Sequence, residues 1–432
     1  MARIFFAAHP TVGHTNALRS IGRRLIAAGH PVAMATTALR VPALPFVPEI
    51  ARVAAGLPDA LRAERIEHVP LPTSAAMIWY ATRIPFATGY DELEHALGLF
   101  TSSLAEHSRI IAREARRFRA DVVVGDYLCF ASFLGAQLAG LPFVAFFHSA
   151  LPFLSARHPP FGSGLPNDAP MDARWSAALQ RLEALSNRTD ARIARASRAL
   201  GLAAPAPQLL NRPYSPHLNL LATTEALEPG LPPLEGPVRF TGPCIDARPD
   251  EHADDPALRA LRDGVRHVYV SLGTVFNGQP RVFGTILRGL ERDGVQVVVS
   301  AGASFERLRR DPPSRNAVIF ARVPQLAVLQ RVDAVVTHGG NNTTQETLAA
   351  GRPMLVIPFG GDQLENARRV ERLGVGVSLL PSQLTEQAVR SACARLLEDR
   401  TLVGRASVVA AGLAGADGTA RAVEAILGLV QG

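Results

Sequence analysis

Two doubly wound α/β domains are the fold class this sequence predicts, and three observations predict it. Short apolar runs of strand length alternate with helical periodicity through the first half. Proline and glycine then become dense between Ala203 and Pro256, with LEPGLPPLEGPVRFTGP at the centre. A second series of apolar runs starts at His267. A chain of 432 residues accommodates two or three domains of ordinary size.

The elements follow in order. Ile4 to Ala8 reads as a strand, and Asn16 to Ala28 as a helix with Leu18, Ile21 and Leu25 on one face. Gly29-His30 turns the chain into a strand from Val32 to Thr36, and further strands run from Asp121 to Gly125 and from Phe143 to Phe147. In the second series the strands are His267 to Leu272, VQVVVSA at 295–301, AVIFA at 317–321, Val332 to Thr337 and Met354 to Ile357. A last helix covers Thr419 to Leu429. The expected division is 1–225, a linker at 226–256, 257–415, and a terminal helix at 416–432.

Composition excludes several classes. With 47% hydrophobic and 19% charged residues the chain is globular. Its net charge of +7 comes from arginine alone, since lysine is absent, and the arginines are scattered at helical spacing (Arg109, Arg113, Arg116, Arg117). That pattern suits solvated helix faces rather than a nucleic-acid footprint. Three cysteines, Cys129, Cys244 and Cys393, have neither metal-ligand spacing nor the even count of a disulfide framework. MARIFFAAHP reads as a first strand and not a signal peptide, and no uncharged apolar stretch reaches about 18 residues. A cytoplasmic protein, monomeric or weakly dimeric, is expected.

The densest chemistry lies between Arg322 and Ala367. A buried-strand run ends in His338-Gly339-Gly340, two asparagines follow, and helical composition begins at Thr343. Glycine and asparagine let backbone N–H groups approach a ligand, and a helix N-terminus attracts an anion. His338 adds a donor and Thr343 a hydroxyl; Glu346, one helical turn on, suits two neighbouring hydroxyls such as those of a ribose. Asp362-Gln363 follows the next apolar run. A plain strand-loop-helix with a capping box at Gln345 or Glu346 accounts for the glycines. It leaves His338, Val323-Pro324-Gln325 and Asp362-Gln363 unexplained.

A second candidate centre lies in the first domain. HPTVGHTN, His9 to Asn16, falls at the carboxyl end of the first strand, where α/β sites form. A histidine there is a candidate general base, stronger when a carboxylate holds it, and Asp126 at the end of its strand is the candidate partner. His9 and His30 compete with His14; a plain helix cap competes with the partner role of Asp126.

The Arg322 to Ala367 segment resembles the nucleotide-sugar donor signature of the UDP-glycosyltransferase family. Gly13-His14 with Gly29-His30-Pro31-Val32 resembles that family's opening motif, and VVVGD at 122–126 with Leu141-Pro142-Phe143-Val144 resembles the stretch carrying its aspartate. The resemblance implies the GT-B architecture, two Rossmann-like domains facing across a cleft, with the terminal helix at 416–432 crossing back onto the first domain. It implies that His14 is the base and Asp126 its partner. It implies a donor site of Gly273, Thr274, Arg322, Val323, Gln325, His338, Gly340, Asn342, Thr343, Glu346, Asp362 and Gln363. In it Gly273-Thr274, His338 and Thr343 serve the diphosphate, Val323 and Gln325 the base, Glu346 the ribose, and Asp362-Gln363 the sugar. Asn342 fills the motif's asparagine position, with Asn341 variable. Two departures stand out: Ala17 where many members have proline, and Arg322 where an aromatic residue usually stacks on the base. A guanidinium plane also stacks on a base.

The function implied is an inverting transfer of a hexose, glucose being commonest, from a UDP- or dTDP-sugar to a hydroxyl of a small lipophilic acceptor, as in natural-product or antibiotic glycosylation. No metal or other cofactor is expected, since no Asp-x-Asp triplet occurs. The apolar, aromatic segments Met77 to Tyr90 and His148 to Pro166 are candidates for the acceptor side and equally for core packing. An inactive donor-binding helper of a partner transferase and a sugar-nucleotide epimerase or hydrolase are the competing readings.

Overall fold

The computed structural model describes residues 1–37, 49–153, 157–206, 209–228, 230–245 and 254–431. The chain divides into two compact units, Met1–Ile245 with Asp417–Gly432, and Asp246–Ala416.

The first unit holds a seven-stranded parallel sheet. Its strands are β1 (Ile4–Ala7), β2 (Val32–Thr37), β3 (Glu67–Leu71), β4 (Val122–Asp126), β5 (Phe143–Phe147), β6 (Leu218–Leu221) and β7 (Val238–Phe240), in the order β3-β2-β1-β4-β5-β6-β7. β1, β4 and β5 are buried along their whole lengths because helices cover both faces, which is why they read as unbroken apolar runs. Alternate residues serve opposite cores. Phe5, Val123 and Phe147 pack with Ile111 and Leu134, while Phe6, Val124 and Phe146 pack with Leu18, Ile21 and Leu25. The strand order reverses between β1 and β4, placing a crevice at their carboxyl ends.

Three local features differ from the sequence reading. The first helix begins at Val12 rather than Asn16, with Thr11 extended ahead of it and the Thr15 hydroxyl donating to the Thr11 carbonyl at 3.0 Å. Val12 to His14 carry no apolar repeat, so periodicity starts late. β4 runs to Asp126 and begins at Val122, because the Asp121 carboxylate accepts the Arg3 N–H at 2.7 Å. Within the stretch read as linker, of which 229 and 246–253 lie outside the described residues, Val238–Phe240 forms an edge strand. Pro237 ahead of it cannot donate, but its carbonyl accepts the Asn219 N–H at 2.7 Å, an arrangement an edge tolerates.

The last helix, Gly418–Gln431, packs on the first helix of the same unit. Ala422, Val423 and Ile426 join the core beside Leu18 and Ile21. Ser20 Oγ lies 3.2 Å from Thr419 Oγ1, and Arg24 pairs with Asp417. A Cβ at Gly418 would sit 2.3 Å from the Pro243 carbonyl oxygen, so only glycine permits this approach.

The second unit holds a six-stranded parallel sheet of β8 (Arg266–Ser271), β9 (Val295–Ser300), β10 (Ala317–Phe320), β11 (Ala334–Thr337), β12 (Met354–Val356) and β13 (Gly376–Ser378). The order β10-β9-β8-β11-β12-β13 reverses between β8 and β11. Val268, Val270, Val297, Val299, Val336 and Leu355 form its core. Among the described residues no helix is long and apolar enough to cross a membrane.

Candidate functional site

Each sheet presents candidate chemistry at its own reversal point. In the first unit, His14 lies in the first turn of the helix that follows β1, and Asp126 is the last residue of β4. The parallel register of β1 with β4 pairs Ala7 with Gly125, which brings both side chains to one end of the sheet. The structure joins them: His14 Nδ1 hydrogen bonds to Asp126 Oδ2, with the carboxylate fully buried and the imidazole 16% exposed. A Cβ on neighbouring Gly13 would meet no atom within 4 Å.

A third group, read from the sequence only as the start of a segment open to acceptor binding or core packing, completes this centre. His148 Nε2 lies 3.1 Å from Asp126 Oδ1 and 3.2 Å from His14 Nδ1, and the Leu128 N–H also donates to Oδ1 at 3.1 Å. Burial opposes ionisation of Asp126, but His14 and His148 outweigh it and hold the carboxyl well below the usual carboxylate range. Its parallel partner β5 positions His148 one residue past its end. The apolar run Phe143 to Phe147, read as a strand ending, was the signal available. His14, Asp126 and His148 present ligand atoms within 4.8 Å of one another, a donor set that zinc accepts.

The two competing histidines have other roles. His9 is buried, stacks on Phe100 at 4.1 Å and approaches the Leu128 carbonyl at 3.2 Å; burial lowers its pKa to about 4, so it is neutral near pH 7. His30 Nδ1 accepts the Ala2 N–H at 3.0 Å, which ties the chain start to the β2 turn. Phe100, from the helix Gly89–Thr101, also lies 5.5 Å from the His14 ring and supplies an apolar neighbour to it.

In the second unit, Gly273 and Thr274 follow β8, and His338-Gly339-Gly340 follows β11 into the helix Asn341–Ala349. The His338 ring is wedged between glycines. A Cβ at Gly273 (φ 68°) would come within 2.5 Å of the ring, and one at Gly340 within 2.5 Å of its Nε2. Burial lowers the His338 pKa to about 4, against a ring hydrogen bond to the Ser271 carbonyl, so the single N–H of the neutral imidazole is engaged by that carbonyl. The loop is held from beneath by Arg369, which is 1% exposed. Its Nη1 donates to Asn341 Oδ1 at 3.2 Å and Asn366 Oδ1 at 2.9 Å, and Asn366 Nδ2 donates to the Gly339 carbonyl at 2.8 Å. Asn341, read as the variable position, is therefore a buried anchor, while Asn342 is partly exposed.

Gln325 links the rest. It opens the helix Gln325–Leu329, accepts from the Tyr269 hydroxyl at 2.9 Å, and donates to Glu346 Oε2 at 2.5 Å and Thr343 Oγ1 at 3.2 Å. Val323 precedes this helix, half-buried, and Arg322 is exposed. Asp362 opens the helix Asp362–Arg372; Gln363 is buried and its Oε1 accepts the Phe359 N–H at 2.9 Å, which leaves its NH₂ as the group suited to a ligand oxygen.

Desolvation pushes the Glu346 pKa up to about 7, against the pull of the Gln325 hydrogen bond. Its folded pKa lies above its unfolded value, so its contribution to stability is complete below the unfolded pKa of about 4.5 and is lost as pH rises through about 7. At ~1.4 kcal/mol for each pH unit between the two, the loss amounts to roughly 3–4 kcal/mol. Glu346→Gln is expected to flatten this dependence between pH 5 and 8. Thermal melts at both ends check it; parallel decline in wild type and variant would refute the assignment.

The apolar segments divide between core and surface. Met77 and Ile84 are buried, whereas Ile78, Trp79 and Phe86 are exposed, with Arg83 stacked 3.7 Å from the Trp79 ring. In the second segment, of which 154–156 lie outside the described residues, Ala150 and Phe161 pack with Leu93, Leu97, Leu182 and Leu185. Those two residues serve packing.

Known proteins resemble this chain in sequence and in fold. Residues 291–427 match the erythromycin biosynthesis protein CIII-like C-terminal domain family. Over 442 aligned residues the chain is 27% identical to 4'-demethylrebeccamycin synthase of Lentzea aerocolonigenes, covering 99% of this chain and 100% of that one. It is 31% identical to the uncharacterized UDP-glucosyltransferase YojK of Bacillus subtilis (strain 168) over 192 residues, 44% of this chain and 47% of YojK, so that match spans about half of the relative. The structure of CalG4, the calicheamicin glycosyltransferase, superimposes with a TM-score of 0.74 at 20% identity, covering 100% of this chain and 98% of CalG4. That likeness shows the fold, the two-domain α/β GT-B architecture.

Proposed function

We propose that the chain is a member of the UDP-glycosyltransferase family and that it moves a hexose from a UDP- or dTDP-sugar to a hydroxyl of a small lipophilic acceptor, with inversion and without a metal. The observation that carries this reading is the His14–Asp126 pair at the first reversal point. An ionised Asp126 accepts hydrogen bonds only, so His14 must carry its proton on Nδ1, and Nε2 is the nitrogen able to take a proton. An acceptor hydroxyl has a high pKa, and a base of this kind removes its proton as the oxygen attacks the anomeric carbon. The carbon–oxygen bond to the nucleoside diphosphate breaks in line, so an α-linked donor yields a β-glycoside, and the proton resides on His14.

The second unit supplies the donor side of the proposal. Backbone N–H groups at the start of Asn341–Ala349 and the Thr343 hydroxyl meet the negative charge growing on the diphosphate, joined by the neutral His338 with its one N–H given to a phosphate oxygen in place of the Ser271 carbonyl. Glu346 takes the ribose hydroxyls, and Asp362 with the Gln363 NH₂ takes the sugar. Arg322, exposed, is available to stack on the base. Phe100 and the exposed aromatic side chains of 78–86 suit an apolar acceptor.

The test is product detection by mass spectrometry, with UDP-glucose and then dTDP-glucose against a panel of lipophilic hydroxylated acceptors. A gain of one hexose that survives a chelator is expected. Loss of product on chelation, restored by zinc, would overturn the metal-free reading and direct attention to the His14, Asp126 and His148 donor set. Donor binding without product on any acceptor would favour a helper protein.

A further inference from the structure

We propose that His148 is a positioning residue that, from the far side of the shared carboxylate, holds Asp126 in the orientation that keeps His14 in its base-competent tautomer. This rests on the reading of His14 as the base. Asp126 has two oxygens in a site with no solvent exposure. Oδ2 serves His14 Nδ1, while Oδ1 serves His148 Nε2 and the Leu128 N–H, each at 3.1 Å. The two imidazole nitrogens are 3.2 Å apart, yet both face the same acceptor, so each must carry a proton and neither bonds the other. Their rings stand 4.5 Å apart at 65°.

The torsion that turns a carboxylate about its last bond is soft. Hydrogen bonds on one oxygen do not fix it; donors on both do. Take away His148, and Oδ1 keeps one backbone donor in a place water does not reach, at the cost of a buried, undersupplied charge. The carboxylate is then able to turn toward the amide, and the His14 Nδ1–H loses its acceptor. Free histidine prefers the opposite tautomer, with the proton on Nε2, and in that form the nitrogen that should take the substrate hydroxyl's proton has no free lone pair. His148 is itself held at the end of β5, and neighbouring Tyr127 and Ser149 share a 2.6 Å hydroxyl contact, so its ring is set by the scaffold rather than by substrate.

Two substitutions separate this role from simple packing. His148→Phe keeps the ring volume and removes the donor; His148→Gln removes the ring and places an amide N–H at similar reach. Positioning predicts that His148→Phe lowers kcat by about 10- to 100-fold with donor KM unchanged, and that His148→Gln recovers most of the loss. Packing predicts the reverse order. Nitrogen-15 NMR of the His14 ring reads the tautomer directly and needs no turnover. Wild type and His148→Gln should hold the proton on Nδ1, and His148→Phe should shift it toward Nε2. Should His148→Phe not fold, judged by its melting curve, His148→Met replaces it. An unchanged tautomer and kcat in the donor-less variant, or a glutamine variant as impaired as it, overturns the proposal. If wild type transfers no sugar, the NMR result still decides for or against His148, and the failure belongs to the functional reading.

Discussion

His14→Ala is expected to lower the transfer rate by about 10³-fold, within the range that a positioned general base contributes, while donor affinity stays within a few-fold. The two halves of that expectation come from different units of the chain. His14 and Asp126 sit at the reversal of the first sheet, whereas the proposed nucleotide groups belong to the second. Kinetics with saturating acceptor and calorimetry with UDP-glucose measure the two halves separately. The imidazole is 16% exposed and its loss takes a donor from the buried Asp126 carboxylate, so a melting curve of the variant checks that the fold persists. Transfer at near wild-type rate would remove His14 from the mechanism. Loss of donor affinity alongside rate would instead place His14 at the nucleotide.

On the donor side, Gly340→Ala is expected to cost about 10²-fold in kcat/KM, comparable with His338→Ala. The new Cβ would lie 2.5 Å from His338 Nε2, inside any real contact, so the ring must leave its place. Gly273 closes the other side of the ring with the same 2.5 Å approach, which leaves little room for a small adjustment. The stability cost of such overpacking is ~1–3 kcal/mol, readable in a melt. If His338 donates to the diphosphate as proposed, Gly340→Ala and His338→Ala should not add when combined, since each removes the same hydrogen bond. Additive losses would mean that the glycine acts through the backbone of its loop and not through the ring.

Much of this was legible along the chain because the relevant physics is local. Parallel strands covered on both faces must be apolar throughout, so Ile4, Phe143 to Phe147 and Val295 to Ser300 announced themselves. A glycine-rich loop before a helix reports close backbone approach, so His338-Gly339-Gly340 was visible without coordinates. What escaped was set by the partner and not the pattern. Val238–Phe240 is three residues among prolines and becomes a strand only because β6 offers it an edge. Arg369 looked like one of many helix-face arginines, yet it is buried and braces Asn341 and Asn366.

By itself the sequence determined the two α/β repeats, the residues at the ends of their strands, and the glycine-rich loop at 338–340, because periodicity and turn chemistry act over a few neighbours. Only the tertiary structure decided which of those strand ends meet. It brought positions 14, 126 and 148 onto one carboxylate and closed Gly273 against His338, across separations no local pattern encodes. The physical reason lies in strand order: two parallel sheets, one reversing at β1/β4 and the other at β8/β11, each gather their chemistry where consecutive crossovers part.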